Sequence, residues 1–147
     1  MKRGGLRLRL VRPRAVSGDQ TTMTTDLTTA YLDDVVARAV SAPVLPREPW
    51  ADALPNDCHT NAENFAQLSP EYAVVRGWLV NSGHWLMPHS VVRHIPSGRL
   101  IDVTPDPSNS SHPFVEHCGT ERDFAILRHG RDGGWLHPPF GMEVRAK

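Results

Sequence analysis

Cysteine, histidine and aspartate are the side chains of this sequence that could carry out nucleophilic chemistry, and Cys58, His89 and Asp102 have the most informative surroundings. A cysteine thiolate attacks a carbonyl carbon and forms an acyl-enzyme. An imidazole accepts and returns the proton, and a carboxylate fixes the orientation of that imidazole. These three residues would therefore perform acyl chemistry if the fold brought them together.

The sequence before Cys58 predicts that this thiol lies at the start of a helix. Four prolines between positions 43 and 55 exclude regular structure, and either Asn56 or Asp57 can then cap a helix that runs to about Gln67. In the first turn, unpaired backbone N–H groups and the helix dipole lower the pKa of a thiol. An average cysteine is instead a small buried hydrophobe. The polar neighbours of Cys58 favour an accessible, reactive position.

His89 and Asp102 flank a predicted hairpin whose turn contains Pro, Ser and Gly. Since side chains alternate along strands, the two residues share a face only when the loop has an even number of residues. A four-residue loop, Ile95–Gly98, places Asp102 opposite Val91 and diagonal to His89, roughly 7 Å away between backbones. A two-residue loop, Ser97–Gly98, would separate them by about 13 Å along the strands.

Asp102 is an acid in an otherwise apolar strand, between Ile101 and Val103. A carboxylate in such surroundings usually has a partner, because burying an unpaired charge is costly. The alternative is a surface histidine and an unrelated aspartate beside the turn. The pattern favours an imidazole that is oriented by a carboxylate.

Residues 26–147 predict a single α+β domain, with helices first and strands afterwards. Asp26 can cap a first helix whose apolar residues recur at helical spacing as far as Val40. Segments rich in β-branched and aromatic residues follow, bounded by turn residues, and they predict consecutive antiparallel strands. These strands are expected at 73–80, 85–95 and 99–104, with shorter ones at 114–118 and 124–128.

Residues 1–25 form a separate basic arm in this interpretation. The first 19 residues hold six Lys and Arg against Asp19 alone, although the whole chain carries 16 residues of each sign. The arm has little apolar surface to bury, which is typical of a disordered terminus. A basic arm can also dock on a phosphate backbone, and the alternating Leu and Arg residues at 6–10 could form an edge strand.

Length and composition exclude several classes of protein. With 147 residues, 39% hydrophobic and 22% charged, the chain matches one globular domain. No apolar run approaches the roughly 18 to 20 residues of a membrane span, and arginines occupy the place of a secretory signal's apolar stretch. Two cysteines are too few for a disulfide scaffold, although one bridge between them is formally open. We therefore expect a cytoplasmic protein without a membrane partner, whose main function is not nucleic-acid binding.

The order of Cys58 at a helix start, His89 on a strand and Asp102 on the next strand resembles the transglutaminase-like branch of the papain-like superfamily. The segment from Gly98 to Pro105 is similar to the one that delivers the acid in that family, and His89-Ser90-Val91-Val92 is similar to the strand that delivers its histidine. The resemblance implies a papain-like, transglutaminase-like α+β fold in which N-terminal helices pack on a small antiparallel β-sheet. The family's Gly-Xaa-Cys-Trp-like run around the nucleophile is absent.

The resemblance implies a Cys–His–Asp triad that acts on an amide or thioester carbonyl of a protein or peptide substrate, without a cofactor. Protease, amidase, glutamine deamidase and transglutaminase activities share this apparatus. The backbone N–H of Cys58 would bind the oxyanion, with Asn56 as the candidate side-chain donor. The aromatic side chains near the proposed site could wall a substrate groove, and the candidates are Trp78, His84 and Trp85.

Two other interpretations use the same sequence features. The cysteines and the eight histidines could bind zinc, and His117-Cys118 is the most attractive late pair. No Cys-Xaa-Xaa-Cys motif is present, however, and His89 and His94 face opposite ways on one strand. A noncatalytic interaction domain that keeps a papain-like framework is the third interpretation. The oligomeric state stays open.

Overall fold

The structure, a computed structural model, describes residues 20–129 and 134–137. The predicted arm at 1–25 therefore lies outside the described residues, except for its last six positions. Within the described ranges, two helices, four strands, a third helix and a fifth strand follow one another in a small α+β fold. The helices are α1 (Gln20–Ala39), α2 (Cys58–Leu68) and α3 (Glu121–Leu127), and the strands are β1 (Tyr72–Asn81), β2 (Trp85–His94), β3 (Leu100–Ile101), β4 (Phe114–Glu116) and β5 (Trp135–Leu136).

The strands form one antiparallel sheet in the order β3-β2-β1-β4, and β5 also pairs with β2. The long hairpin of β1 and β2 is its centre, with Tyr72 opposite His94 at one end and Asn81 opposite Trp85 at the other. β-branched residues fill both strands and pack well on a pleated surface, which explains the length of this hairpin. The predicted antiparallel arrangement of consecutive strands is confirmed for β1 and β2.

All three helices pack against the same face of the sheet. On β1, Val74 and Trp78 lie on this face because side chains alternate along a strand. Ala62 of α2 packs near Val74, and α1 and α3 pack around Trp78 at the other end. Two apolar clusters therefore fix the helices on the sheet, and the larger one contains Leu32, Val35, Ala39, Trp78, Val80, Leu86, Val115 and Phe124.

The opposite face of the sheet is covered by the proline-rich segment rather than by a helix. Leu45 packs there against Val75, Val91 and Phe114. The segment is tied to the sheet through its backbone, since the Phe114 N–H donates to the Pro43 carbonyl over 3.0 Å. His89 lies on this face, and the adjacent residues of β2 lie on the face that the helices cover.

Two predicted elements differ in the structure. The first helix begins at Gln20, so Asp26 lies within it rather than at its N-cap. Helix propensity differs by only about 0.7 kcal/mol per residue among ordinary residues, so the Thr-rich run before Asp26 does not stop a helix. The predicted strand at 124–128 is wrong, because residues 124–127 belong to α3 and Arg128 is its C-cap. Thr120 and Asp123 form a capping box that starts that helix.

Candidate active site

Cys58 is the first residue of α2, as the sequence predicts. Asp57 occupies the N-cap position without a side-chain cap bond, and its carbonyl accepts the Asn61 N–H over 2.9 Å. Asn56 turns the chain into the helix with a positive φ of 61°, a conformation that asparagine tolerates better than most residues. The thiol therefore lies beside backbone N–H groups that no earlier helical carbonyl can accept.

The edge of β2 has a gap where the tip of α2 approaches it. β5 pairs with β2 at Trp85 and Leu86, and β3 pairs with it at Val92 and Arg93. Among the described strands, none pairs with the stretch between these two contacts on this edge. His89 and Ser90 lie in this stretch, and each of them interacts with a residue in the first turn of α2.

The hairpin register brings His89 and Asp102 together. Val92 pairs with Ile101, which places Asp102 level with Val91 and confirms the predicted four-residue loop. The His89 Nε2 and Asp102 Oδ2 atoms are 2.8 Å apart, and both side chains are buried. The other oxygen, Oδ1, accepts the Thr104 N–H over 3.0 Å. The carboxylate is thus held by two hydrogen bonds and fixes the imidazole through Nε2.

The backbone of Asp102 leaves β3 and pairs with the proline-rich segment. The Asp102 N–H donates to the Pro46 carbonyl over 3.0 Å, and its carbonyl accepts the Glu48 N–H over 2.8 Å. These bonds form an isolated parallel bridge between Arg47 and Asp102. β3 is shorter than predicted for this reason, since Asp102 has a different partner from its predecessors. The backbone N–H and the carbonyl of Asp102 are thus both hydrogen-bonded to the proline-rich segment.

The ionisation of Cys58 and His89 is strongly coupled. Burial raises the pKa of the Cys58 thiol, but hydrogen bonds and charge from His59 and His89 outweigh burial and lower this pKa to about 6. Burial lowers the pKa of His89, but hydrogen bonds to Asp102 and Cys58 raise it to about 9. Between these values the pair is a thiolate and an imidazolium.

Two buried polar residues complete the frame of the site. The Asn61 amide donates to the Leu54 carbonyl over 2.7 Å and to Thr104 Oγ1 over 3.1 Å, and its oxygen accepts the Leu54 N–H. Thr104 in turn holds Asp102, so the helix that carries the thiol is bonded to the strand end that carries the acid. Sequence reasoning missed this link. A polar residue one turn into an amphipathic helix was the available signal.

Sequence reasoning also missed His59, the immediate neighbour of Cys58. Its imidazole is among the causes that lower the pKa of the Cys58 thiol. Its Nδ1 is 2.6 Å from the Ser90 hydroxyl oxygen, and its ring packs edge-on against Phe124. The only sequence signal was the adjacency of the two residues, which does not fix the direction of a side chain.

A pocket of about 330 Å³ opens beside the three predicted catalytic residues. Cys58, His89 and Asp102 all line it, and so does Asn56, the predicted oxyanion donor. One wall is apolar and comes from the hairpin, and the other is polar and comes from the segments around it. The further lining residues are Leu79, Met87 and Pro88 on the hairpin, and Arg47, Thr104, Pro105, Asp106, Ser108, Ser110 and His112 around it.

The three aromatic groove candidates do not line this pocket. Trp78 is fully buried in the cluster under α1, because it lies opposite Pro88 and thus on the face away from His89. His84 is exposed in the β1–β2 turn, where its Nδ1 is 2.9 Å from the Ser82 carbonyl oxygen. Trp85 pairs with β5 at the far end of β2. Trp78 thus lies on the other face of the sheet, and His84 and Trp85 lie at the far end of the hairpin, so their proximity in sequence did not place them at the site.

The described residues contain no group of three histidine, cysteine, aspartate or glutamate side chains that could hold a metal ion. Both cysteines are free, and Cys118 is exposed. In the part of the chain that the structure describes, no helix has the length and apolar character needed to cross a membrane.

Comparison with known proteins gave no match to a family model, a curated protein or a solved structure.

Proposed function

We propose that this protein is a cysteine-dependent acyl-transfer enzyme of the papain-like type, in which Cys58, His89 and Asp102 form the catalytic triad. One observation carries the proposal. A thiol at the tip of a helix, an imidazole and a buried carboxylate line one pocket, the imidazole is 2.8 Å from the carboxylate, and it helps to lower the pKa of the thiol. Perturbed ionisation in a cleft is typical of catalytic groups.

The geometry supports a two-step reaction on an amide or thioester. The Cys58 thiolate attacks the carbonyl carbon, the S–C bond forms, and the carbonyl π electrons move to oxygen. When the intermediate collapses, the bond to the leaving group breaks, and the His89 imidazolium gives its proton to that group. Water or an amine then loses a proton to His89 and attacks the thioester, and the C–S bond breaks to restore the thiolate.

Backbone N–H groups at the start of α2 support the developing oxyanion in this scheme. The Cys58 N–H belongs to the first turn, where the helix dipole also favours negative charge. Asn56 lines the same pocket, so its amide remains the best side-chain candidate. The Asp102 carboxylate is hydrogen-bonded to His89 Nε2. The Nδ1 atom of His89 is therefore the one that transfers the proton in this scheme.

The pocket also indicates the size of the group that enters it. Ligand pockets typically range from about 300 to 1,000 Å³, and about 330 Å³ accommodates one side chain or a short acyl group. A protein or peptide amide presented by its side chain or terminus fits this volume. Hydrolysis, deamidation and amine transfer all follow from the same acyl-enzyme, and the acceptor decides among them.

Thiol labelling tests the proposal directly. Iodoacetamide is reacted with the protein over a pH series, and mass spectrometry measures labelling at each cysteine. We expect Cys58 to be labelled at least about 10-fold faster than Cys118 at pH 7, with a midpoint near pH 6. His89→Ala should shift this midpoint upward. Equal and slow labelling of both cysteines would overturn the proposal and fit the noncatalytic interaction domain instead.

Acyl-enzyme formation is the second measurement. An activated ester such as p-nitrophenyl acetate should place an acetyl group on Cys58 and release a burst of nitrophenol. Cys118→Ser provides the matched control, because it removes the other free thiol of the chain. A burst that survives Cys58→Ser would exclude Cys58 as the nucleophile.

A further inference from the structure

Most polar side chains that line the candidate active-site pocket already have partners within the protein. Asp106 accepts hydrogen bonds from the backbone N–H and the hydroxyl of both Ser108 and Ser110. Arg47 donates to the Ser110 carbonyl, and Thr104 Oγ1 accepts a hydrogen bond from α2. These groups hold the polar wall of the pocket together, and they leave little hydrogen-bonding capacity for a substrate.

His112 lines the same pocket but has no such partner. Within the ranges that the structure describes, its imidazole makes no hydrogen bond and no ion pair. The ring is half-buried, and a polar group in such a position costs free energy unless it is hydrogen-bonded. Neither the triad nor the oxyanion site uses this imidazole. A substrate in the pocket would supply the missing partner.

The backbone on both sides of His112 is fixed by hydrogen bonds. Two positions before it, the Ser110 carbonyl accepts Arg47 Nη2 over 2.9 Å. Immediately after it, the Pro113 carbonyl accepts the Val80 N–H over 3.1 Å. The position of His112 at the pocket is therefore set before a substrate arrives, as a binding residue requires.

A second cavity, of about 450 Å³, shares His112 with the pocket as a lining residue. Its lining is mainly apolar and includes Val36 of α1 and Val40, which directly follows that helix. The two cavities also meet along β1, since Leu79 lines the pocket and Val80 lines the second cavity. Val40 is 89% exposed, so apolar surface is available here. His112 thus lies between the reactive pocket and a cavity suited to an apolar group.

The hydrogen-bonding capacity of an imidazole matches that of a peptide bond. A neutral imidazole presents one N–H donor and one acceptor nitrogen, and a peptide bond also offers one donor and one acceptor. A peptide that reaches the thiol can therefore pair with His112 through its backbone and place a neighbouring side chain in the second cavity. A small acyl group that fills the first pocket alone would use neither feature.

We propose that His112 is a substrate-binding residue, which hydrogen-bonds the backbone of a peptide substrate, and that the second cavity binds an apolar side chain of this peptide. The inference rests on the proposed function, because it names the substrate class of the same site. His112 takes no part in the bond-making steps. Its role is to select an extended peptide with an apolar residue over a small amide or thioester.

Protection of Cys58 against iodoacetamide measures peptide binding without turnover. The probes are two blocked tripeptides, N-acetyl-Gly-Leu-Gly amide and N-acetyl-Gly-Gly-Gly amide. The measured quantity is the peptide concentration that halves the labelling rate of Cys58, relative to the rate of the same variant without peptide. We expect this concentration to be at least about 10-fold lower for the leucyl peptide, because burial of a leucine side chain favours binding.

Substitutions of His112 test the hydrogen bond to the peptide. His112→Phe keeps a ring and removes both nitrogens, and it should raise the half-protection concentration about 5-fold for both peptides. His112→Gln keeps a donor and an acceptor and should restore most of this loss. His94→Ala is the control, since His94 lies at the far end of β2 and lines neither cavity. It should leave both concentrations unchanged.

A charge in the second cavity tests the site of the apolar side chain. Val40→Asp should reduce the preference for the leucyl peptide several-fold and leave protection by the glycyl peptide nearly unchanged. Leu27→Asp is the matched control, because Leu27 is an exposed apolar residue of α1 that lines neither of the two cavities. It should keep the full preference.

The outcomes separate this inference from the proposed function. Equal protection by both peptides in the wild type, or His112→Phe values equal to those of the wild type, would overturn the inference and leave the triad intact. Slow and equal labelling of both cysteines without peptide would overturn the proposed function itself. Thermal unfolding checks that each variant is folded. Should His112→Phe unfold, Val40→Asp decides the question, because a retained leucyl preference would overturn the inference and a reduced one would support it.

Discussion

The chain contains two adjacent pairs of cysteine and histidine, and the structure gives them opposite surroundings. In Cys58-His59, the Nδ1 atom of the imidazole is hydrogen-bonded to Ser90, and the imidazole helps to lower the pKa of the neighbouring thiol. In His117-Cys118, the two ring nitrogens of His117 are bonded elsewhere, Nδ1 to the Tyr31 hydroxyl and Nε2 to the Thr120 carbonyl.

The tautomer of His117 follows from these partners. A carbonyl only accepts, so Nε2 carries the hydrogen and Nδ1 accepts the Tyr31 proton. The Tyr31 oxygen in turn accepts Trp78 Nε1–H over 2.7 Å. His117 thus joins α1 to the sheet, and its neighbour Cys118 is exposed to solvent. Adjacency in sequence does not make a reactive pair; the other partners of the imidazole decide whether it serves the sulfur.

The largest expected difference between the two pairs is in covalent chemistry. Cys58→Ala should abolish acyl-enzyme formation from p-nitrophenyl acetate, whereas Cys118→Ala should leave its rate within about 2-fold, because only Cys58 has a neighbouring imidazole available as a base. Mass spectrometry of the trapped intermediate measures both. Acetylation of Cys118 at a comparable rate would remove the distinction between the pairs.

A carboxylate lies beside a histidine in each region, which permits a matched exchange. Asp102→Asn should lower the turnover of an acyl substrate by roughly 10³-fold or more, because the amide favours the wrong imidazole tautomer while keeping the shape. Asp123→Asn provides the control beside His117, at an exposed capping position, and should leave turnover unchanged. Equal effects of the two exchanges would mean that Asp102 acts through stability alone.

The pH dependence separates the two members of the proposed catalytic pair, Cys58 and His89. Labelling of Cys58 should fall about 10-fold per unit below pH 6, because the lowered pKa of the thiol is then crossed and the thiolate is lost. Above about pH 9 the His89 imidazolium loses its proton, so amide turnover should decline while labelling persists. Steady-state rates and labelling rates measured in the same buffers check this. Parallel decline of both rates above pH 9 would contradict the role of His89 as the acid.

A change in the second region should affect stability without touching the thiol. Tyr31→Phe removes the hydroxyl that bonds both Trp78 and His117, and should lower the free energy of unfolding by roughly 1–3 kcal/mol. Tyr72→Phe is the control, since Tyr72 makes ring contacts with Phe65 that the substitution keeps. Urea unfolding measures both variants. A change in Cys58 labelling with Tyr31→Phe would show that the two regions are coupled.

The positions of the site residues could be predicted from the sequence where they follow a local rule. Prolines exclude regular structure before Cys58 and polar cap residues follow them, so Cys58 could be placed at the start of a helix. The alternation of side chains along strands, with a four-residue loop, placed Asp102 near His89. The same alternation rule would have excluded Trp78 from the groove, since it lies opposite Pro88, next to His89. That error came from judging proximity in sequence instead of side-chain parity.

Other features depend on contacts that sequence spacing does not encode. The bridge between Arg47 and Asp102 joins segments 55 positions apart without strand periodicity at Arg47. The direction of His59 depends on Ser90, which is 31 positions away. Helix α3 could in contrast have been predicted from the sequence, because Thr120 and Asp123 have the spacing of a capping box. The residues of the candidate site that sequence reasoning missed are those whose orientation is set by long-range hydrogen bonds.

The smallest expected effect tests whether Arg47 influences the reactivity of Cys58. Arg47 Nη2 donates to the Ser110 carbonyl over 2.9 Å and holds the polar wall of the pocket, but the sulfur is not among its partners. Arg47→Ala should therefore change iodoacetamide labelling by less than about 2-fold, since partly exposed ion pairs contribute about 1 kcal/mol or less. The KM for a larger acyl substrate should rise several-fold as the wall loosens. Arg99→Ala, which breaks an exposed pair with Glu48, should alter neither quantity. A large loss of labelling with Arg47→Ala would extend the reactive centre beyond the two imidazoles and the helix tip.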